Sequence, residues 1–384
     1  MLRTPVRWRA ALVAVLASLA AFAQNPLWRP KVLPPFPLTG FYDAPKPLPP
    51  GTPGQLIRSE AFDDYDLPFV KATRILYHSR SASGEDVPVS GVVLTPAGNP
   101  PSGGWPVIAY AHPFSGAART CGPTLARNLD YGPTFALWTG QHYAVVATDY
   151  AGLGSAVRNA VMDMQSNAND VVSAVRAAHA AVPGLGAKWV ALGDSEGAPA
   201  IIALSETESD PNFLGGVALS GVTDLKDVYQ RLAKGNSRGR LALLAYAVKT
   251  TSPAFDPAGM LTKKGMLLYD QVARNCAAPA DSPEDLLKTG WEDQPAVQAF
   301  FERNRVGTRR AAVPLLVISG DSDPIFPVDS VNAAVDRMCK EGDRVQFDRY
   351  SRLDRLRVPG ESITAQTSWI RERYAGKNAP SNCP

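Results

Sequence analysis

The chain has 384 residues, enough to bury a large core, and its 45% hydrophobic and 20% charged content excludes wholesale disorder. Its formal charge of +3 rests on three arginines, Arg3, Arg7 and Arg9, that stand near the start with no acid before residue 24. The remainder is formally neutral and carries no basic excess with which to hold nucleic acid or an anionic membrane.

Taken from the N-terminus, the basic start is followed by the apolar run Ala10 to Ala20 and the small-x-small site Ala21-Phe22-Ala23. That order predicts a secretory signal peptide over residues 1–23, too short in its apolar part to span a bilayer, and so a secreted or periplasmic protein without an integral membrane segment after cleavage. Residues 24–56 are rich in proline, which fixes φ and removes donors, and are expected to form an extended arm over the surface.

From residue 57 the pattern alternates. Apolar, β-branched runs at 72–79, 87–96, 106–112, 143–150, 188–195, 215–221, 314–320 and 345–351 predict strands, several of them covered on both faces. Helical stretches fall at 166–182, 197–206, 328–340 and 362–376. Strand and helix in alternation imply an α/β fold with a mainly parallel sheet covered by helices. Residues 222–312 break the rhythm with no convincing strand and read as a helical cap inserted into a core formed by 57–221 and 313–384.

The chemistry centres on Gly193-Asp194-Ser195-Glu196-Gly197, a G-x-S-x-G between an apolar strand and a helical run. Glycines on either side permit the sharp turn that lifts a serine hydroxyl above a sheet, and the following helix N-terminus, beginning with the Glu196 N–H, faces a developing oxyanion. The loop after the 106–112 strand is the place for a second donor. Pro113 has no N–H, so Phe114, Ser115 and Gly116 are the candidates. Asp323 follows an apolar strand where an acid can orient a base, with Asp321 as the alternative. The constellation calls for no cofactor and no metal.

A base is missing. All four histidines, His78, His112, His142 and His179, precede Ser195, whereas the chain order of such sites is serine, acid, histidine. His112, ending a central strand, is the one histidine with a plausible route to the serine. The four cysteines, Cys121, Cys276, Cys339 and Cys383, allow three pairings.

The stretches "PVIAYAHPFSGAARTCGPTL", "YAVVATDYAGLG", "VVSAVRAAHAAV", "VALGDSEG", "YAVKTTSPAF" to "YDQVARNC", "PLLVISGDSDPIFP" and "RYSRLDRLRVPG" to "SWIRERYAG" together resemble the secretory lipase family of α/β hydrolases. The resemblance runs from about Phe41 to the C-terminus. It implies a carboxylic-ester hydrolase of lipase or esterase type with a helical cap, Ser195 as nucleophile and Asp323 as acid, acting on a small-molecule ester or lipid-like substrate. It also implies disulfides Cys121–Cys276 and Cys339–Cys383.

Three departures stand out. Arg355 occupies the place of the family's histidine in Leu353-Asp354-Arg355, Asp194 and Glu196 flank the serine, and "HPFSG" replaces a His-Gly-Thr-Thr-Gly-like loop. Arginine stays charged and cannot take the serine's proton. The alternative function is therefore a non-catalytic pseudo-hydrolase that binds a lipid-like or acyl ligand. In either case Arg355 is expected to form a charge-assisted pair with Asp323, with Glu196 or Asp194 as further partners.

Overall fold

The computed structural model describes residues 34–235, 238–279, 282 and 284–383. The expected signal peptide lies outside them. From Phe36 onward the described chain is one compact unit built on a nine-stranded sheet: β1 (Leu56–Ala61), β2 (Val70–Arg80), β3 (Asp86–Pro96), β4 (Trp105–Ala111), β5 (Ala144–Thr148), β6 (Leu185–Asp194), β7 (Phe213–Leu219), β8 (Leu315–Gly320) and β9 (Val345–Tyr350). The order is β1-β2-β3-β5-β4-β6-β7-β8-β9. Pairing is antiparallel from β1 to β5 and parallel from β5 through β9.

Every predicted strand is present. The additional one, β1, is an edge strand whose Arg58, Ser59 and Glu60 give it no apolar run to read. Alternation along the central strands sends side chains to two cores. In β4, Val107, Ala109 and Ala111 join one apolar cluster while Ile108 and Tyr110 join the other.

The first cluster is covered by α2 (Met164–Ala181), α3 (Gly197–Thr207) and α8 (Val328–Lys340), the second by α1 (Gly132–Gly140) and α9 (Ile363–Tyr374). The sequence does not announce α1, because Gly132, Pro133 and Thr134 read as a turn; burial of Phe135 and Trp138 holds it in place. At its start, α2 is capped by Asp163, whose carboxylate accepts a hydrogen bond from the Ser166 N–H at 2.8 Å.

Between β7 and β8 lie α4 (Leu225–Lys234), α5 (Leu241–Thr251), α6 (Lys263–Val272) and α7 (Pro295–Arg303). They enclose their own apolar cluster, in which every residue of α5 from Leu241 to Val248 is buried. Phe326, just past the C-terminal end of β8, and Ala117, past β4, belong to that cluster too, so these helices stand over the C-terminal ends of the strands. Among the described residues, no helix is long and apolar enough to cross a membrane.

The proline-rich arm is more than a surface wrap. Tyr42 is fully buried, and its hydroxyl donates to the Thr124 hydroxyl oxygen at 3.0 Å. Desolvation makes an unpaired buried hydroxyl costly, so this bond lets an aromatic anchor enter the interior.

Candidate active site

Ser195 sits at the tip of the turn between β6 and α3, with φ of 53°. A side chain holds that left-handed conformation only where its surroundings enforce it. Here the Ser195 N–H donates to the Leu219 carbonyl at 2.9 Å, and the Ala198 N–H returns to the Ser195 carbonyl at 3.1 Å. The flanking glycines have a steric reason. A Cβ at Gly193 would strike the Gly197 carbonyl, and one at Gly197 would strike that of Ala111.

Asp323 follows β8 and is buried, with 8% of its surface exposed. One carboxylate oxygen accepts hydrogen bonds from the Ile325 N–H at 2.8 Å and the Phe326 N–H at 2.9 Å. Asp321 is engaged differently. It accepts from the Arg352 N–H at 2.6 Å, a bond that holds its carboxyl below the usual range, and lies 3.7 Å from the Arg349 guanidinium.

The loop after β9 carries Arg355. It is clamped to the end of β8 by the Ser322 N–H donating to the Leu353 carbonyl at 3.0 Å, and by Gly320, where any Cβ would meet that same carbonyl. The Arg355 guanidinium comes within 3.9 Å of Asp323. That is an ion pair without the short contact of about 2.7–2.9 Å that marks a charge-assisted hydrogen bond.

The expected partnership with Glu196 does not form. The Glu196 side chain turns into the core, where its carboxylate accepts from the Met162 N–H at 2.7 Å and from the Asn167 amide at 3.2 Å. Burial pushes its pKa up to about 7.

Asp194 does feel Arg355. Burial pushes the Asp194 carboxyl up to about 7, against a downward pull from the Ser195 N–H and the guanidinium. One of its oxygens is buried with no hydrogen-bond partner among the described residues. The folded pKa lies above the ordinary value of 3.8, so stability from this group is fully present below pH 4 and is lost as pH rises through 7. Asp194→Asn is therefore expected to be more stable than wild type at pH 8, by on the order of 2 kcal/mol, with the gap closing toward pH 4 in equilibrium urea unfolding.

His112 is not placed to act as a base. It is buried and stacked on Tyr150, with ring centroids 4.2 Å apart; Nδ1 lies 2.6 Å from the Pro113 carbonyl and Nε2 lies 3.2 Å from that of Asp149. Burial pushes its pKa down to about 4. A neutral buried histidine stabilises the fold above the unfolded value near 6.5, and that contribution is lost as pH falls toward 4. His112→Gln is accordingly expected to flatten the stability profile between pH 4 and 6.5, by up to the slope of one proton, in the same unfolding measurement.

The other histidines lie elsewhere. His78 pairs with Asp86 at 2.9 Å, and His142 and His179 are exposed.

Ser195, Asp194 and Arg355 line a cavity of about 270 Å³ together with Pro113, Phe114 and residues of α4, α5 and the turn after β8. Phe114 thus contributes to the wall, whereas the Ser115 hydroxyl is buried with no partner among the described residues. The cysteines pair as Cys121–Cys276 and Cys339–Cys383. The first bridge ties the loop after β4 to the segment after α6.

A family profile described as secretory lipase matches residues 135–382, well over half of the chain. The chain is 23% identical over 373 residues to a protein named probable inactive lipase MT1628, from Mycobacterium tuberculosis, covering 88% of this chain and 82% of that one. Candida antarctica lipase A in its closed state superposes with a TM-score of 0.77 at 17% identity, over 92% of this chain and 89% of its own. The rice cell wall degrading esterase LipA from Xanthomonas oryzae gives 0.68 at 18% identity, over 85% of this chain and 98% of that one. These structural likenesses establish an α/β-hydrolase fold.

Proposed function

Because the chain belongs to the secretory lipase family, we propose that it is an exported, lipase-like protein whose pocket holds a lipid-like or acyl ligand against Ser195, with ester turnover reduced to a residual level. The observation that carries this reading is Arg355 in the wall of the Ser195 cavity, 3.9 Å from the acid Asp323.

Attack by a serine hydroxyl on an ester carbonyl needs a group to take the proton and later return it to the leaving alcohol. A guanidinium, which stays protonated in proteins, does neither. What the site retains is a positioned Ser195 hydroxyl, N–H groups at the start of α3 that face an oxyanion, and an apolar enclosure beneath α4 and α5, which serve as its cap. In a serine protease stripped of its triad, such features alone leave roughly 10³- to 10⁴-fold acceleration over water. Two disulfides fit an oxidising, extracytoplasmic compartment, in keeping with the signal sequence read in residues 1–23.

A second reading, a working ester hydrolase with a displaced base, draws support from the strained Ser195 conformation, which a pure binding site has no need to keep. Hydrolysis of short and long p-nitrophenyl esters by the purified protein and by Ser195→Ala separates the two. Equal rates for both proteins are expected. Wild-type turnover more than tenfold above Ser195→Ala would select the hydrolase.

A further inference from the structure

The walls of the Ser195 cavity are mostly apolar, with Val228, Leu232, Leu243, Ile325 and Phe326 prominent, yet they include the Arg355 side chain, which is 24% exposed. A guanidinium carries five N–H donors in a rigid plane. Among the described residues the one ion pair of this guanidinium is with Asp323 at 3.9 Å, beyond hydrogen-bond distance. The near oxygen of Asp323 is already taken by two backbone N–H groups.

Charge in the cavity favours an incoming anion. Asp194, the one acid among the lining residues, is held neutral over much of the range below pH 7 by burial. A neutral ester offers a guanidinium only carbonyl acceptors, whereas a carboxylate matches its planar fork with two parallel N–H···O bonds.

We propose that Arg355 is the head-group clamp of a site for long-chain carboxylates of the free fatty-acid type. The carboxylate lies on Arg355 and the chain runs along Leu232, Leu243 and Phe326 beneath α4 and α5. The proposal rests on the ligand-holding reading of this pocket and specifies its chemical class: the acid that ester hydrolysis releases, rather than the ester.

Isothermal titration of the purified protein with decanoate, decanol, methyl decanoate and decyl phosphate, each at monomeric concentration, tests it. Decanoate is expected to bind at least about tenfold more tightly than decanol or the methyl ester, the factor that one charge-assisted pair supplies. Arg355→Gln should abolish that preference while leaving decanol affinity unchanged, and Leu232→Trp, which fills the cavity, should weaken all four ligands. Equal affinity for decanoate and decanol, with Arg355→Gln without effect, overturns the clamp and leaves the pocket reading standing. Tighter binding of decyl phosphate than of decanoate overturns the assignment to a carboxylate. Binding of none of the four removes both the clamp and the pocket reading.

Discussion

Arg355→His is expected to raise kcat/KM on p-nitrophenyl esters by about 10²- to 10³-fold, and Ser195→Ala in the same background should erase the gain. The magnitude follows from what a triad member is worth. Losing one costs about 10⁴- to 10⁶-fold, and an installed imidazole without optimised surroundings recovers only part of it. Its partners are in position: Asp323 lies within 3.9 Å of the present guanidinium, and Ser195 lines the same cavity. Rate should climb between about pH 6 and 7, as the new imidazole loses its proton and becomes a base. A folded Arg355→His protein no faster than wild type would show that residue 355 does not stand where the base must.

The largest expected change in stability comes from Cys121→Ser together with Cys276→Ser. This bridge spans 155 residues. The chain-entropy relation assigns about 5 kcal/mol to a loop of that length, of which measured values commonly recover about 3–5. The Cys339–Cys383 bridge spans 44 residues, so removing it should cost about 1 kcal/mol less. Equilibrium urea unfolding of the two double variants gives both numbers, and the reverse ranking would contradict the entropic account. The longer bridge also bears on the pocket. A Cβ at Gly116, whose φ is 124°, would collide with Cys121 and with the Cys276 backbone. The loop carrying Phe114 is therefore packed against the bridge, and ligand affinity should fall along with stability.

The parallel strands were legible in the sequence because burial on both faces leaves a continuous apolar run, as in Leu315–Gly320. β1 was not, since an edge strand needs no such run, and neither was α1, whose order comes from tertiary burial of Trp138 rather than from local propensity. At the site, the glycine spacing around Ser195 gave away the turn. Which way the flanking acids point was hidden, because Glu196 takes its partners Met162 and Asn167 from about thirty residues upstream. Approach of Arg355 to Asp323 followed from the resemblance that sets Arg355 in the family's histidine position, but its 3.9 Å length did not, and one Asp323 oxygen is left buried with no hydrogen-bond partner among the described residues.

The loop bearing Arg355 owes its path to contacts in which that side chain takes no part: the Ser322 N–H on the Leu353 carbonyl, the Arg352 N–H on Asp321, and the Val358 N–H on the Asp354 carbonyl. Its occupant can change while the frame stays put. Arginine and histidine codons differ by as little as one nucleotide, so a single genetic step exchanges a fixed cation for a titrating base at residue 355 on a backbone that neither side chain has to build.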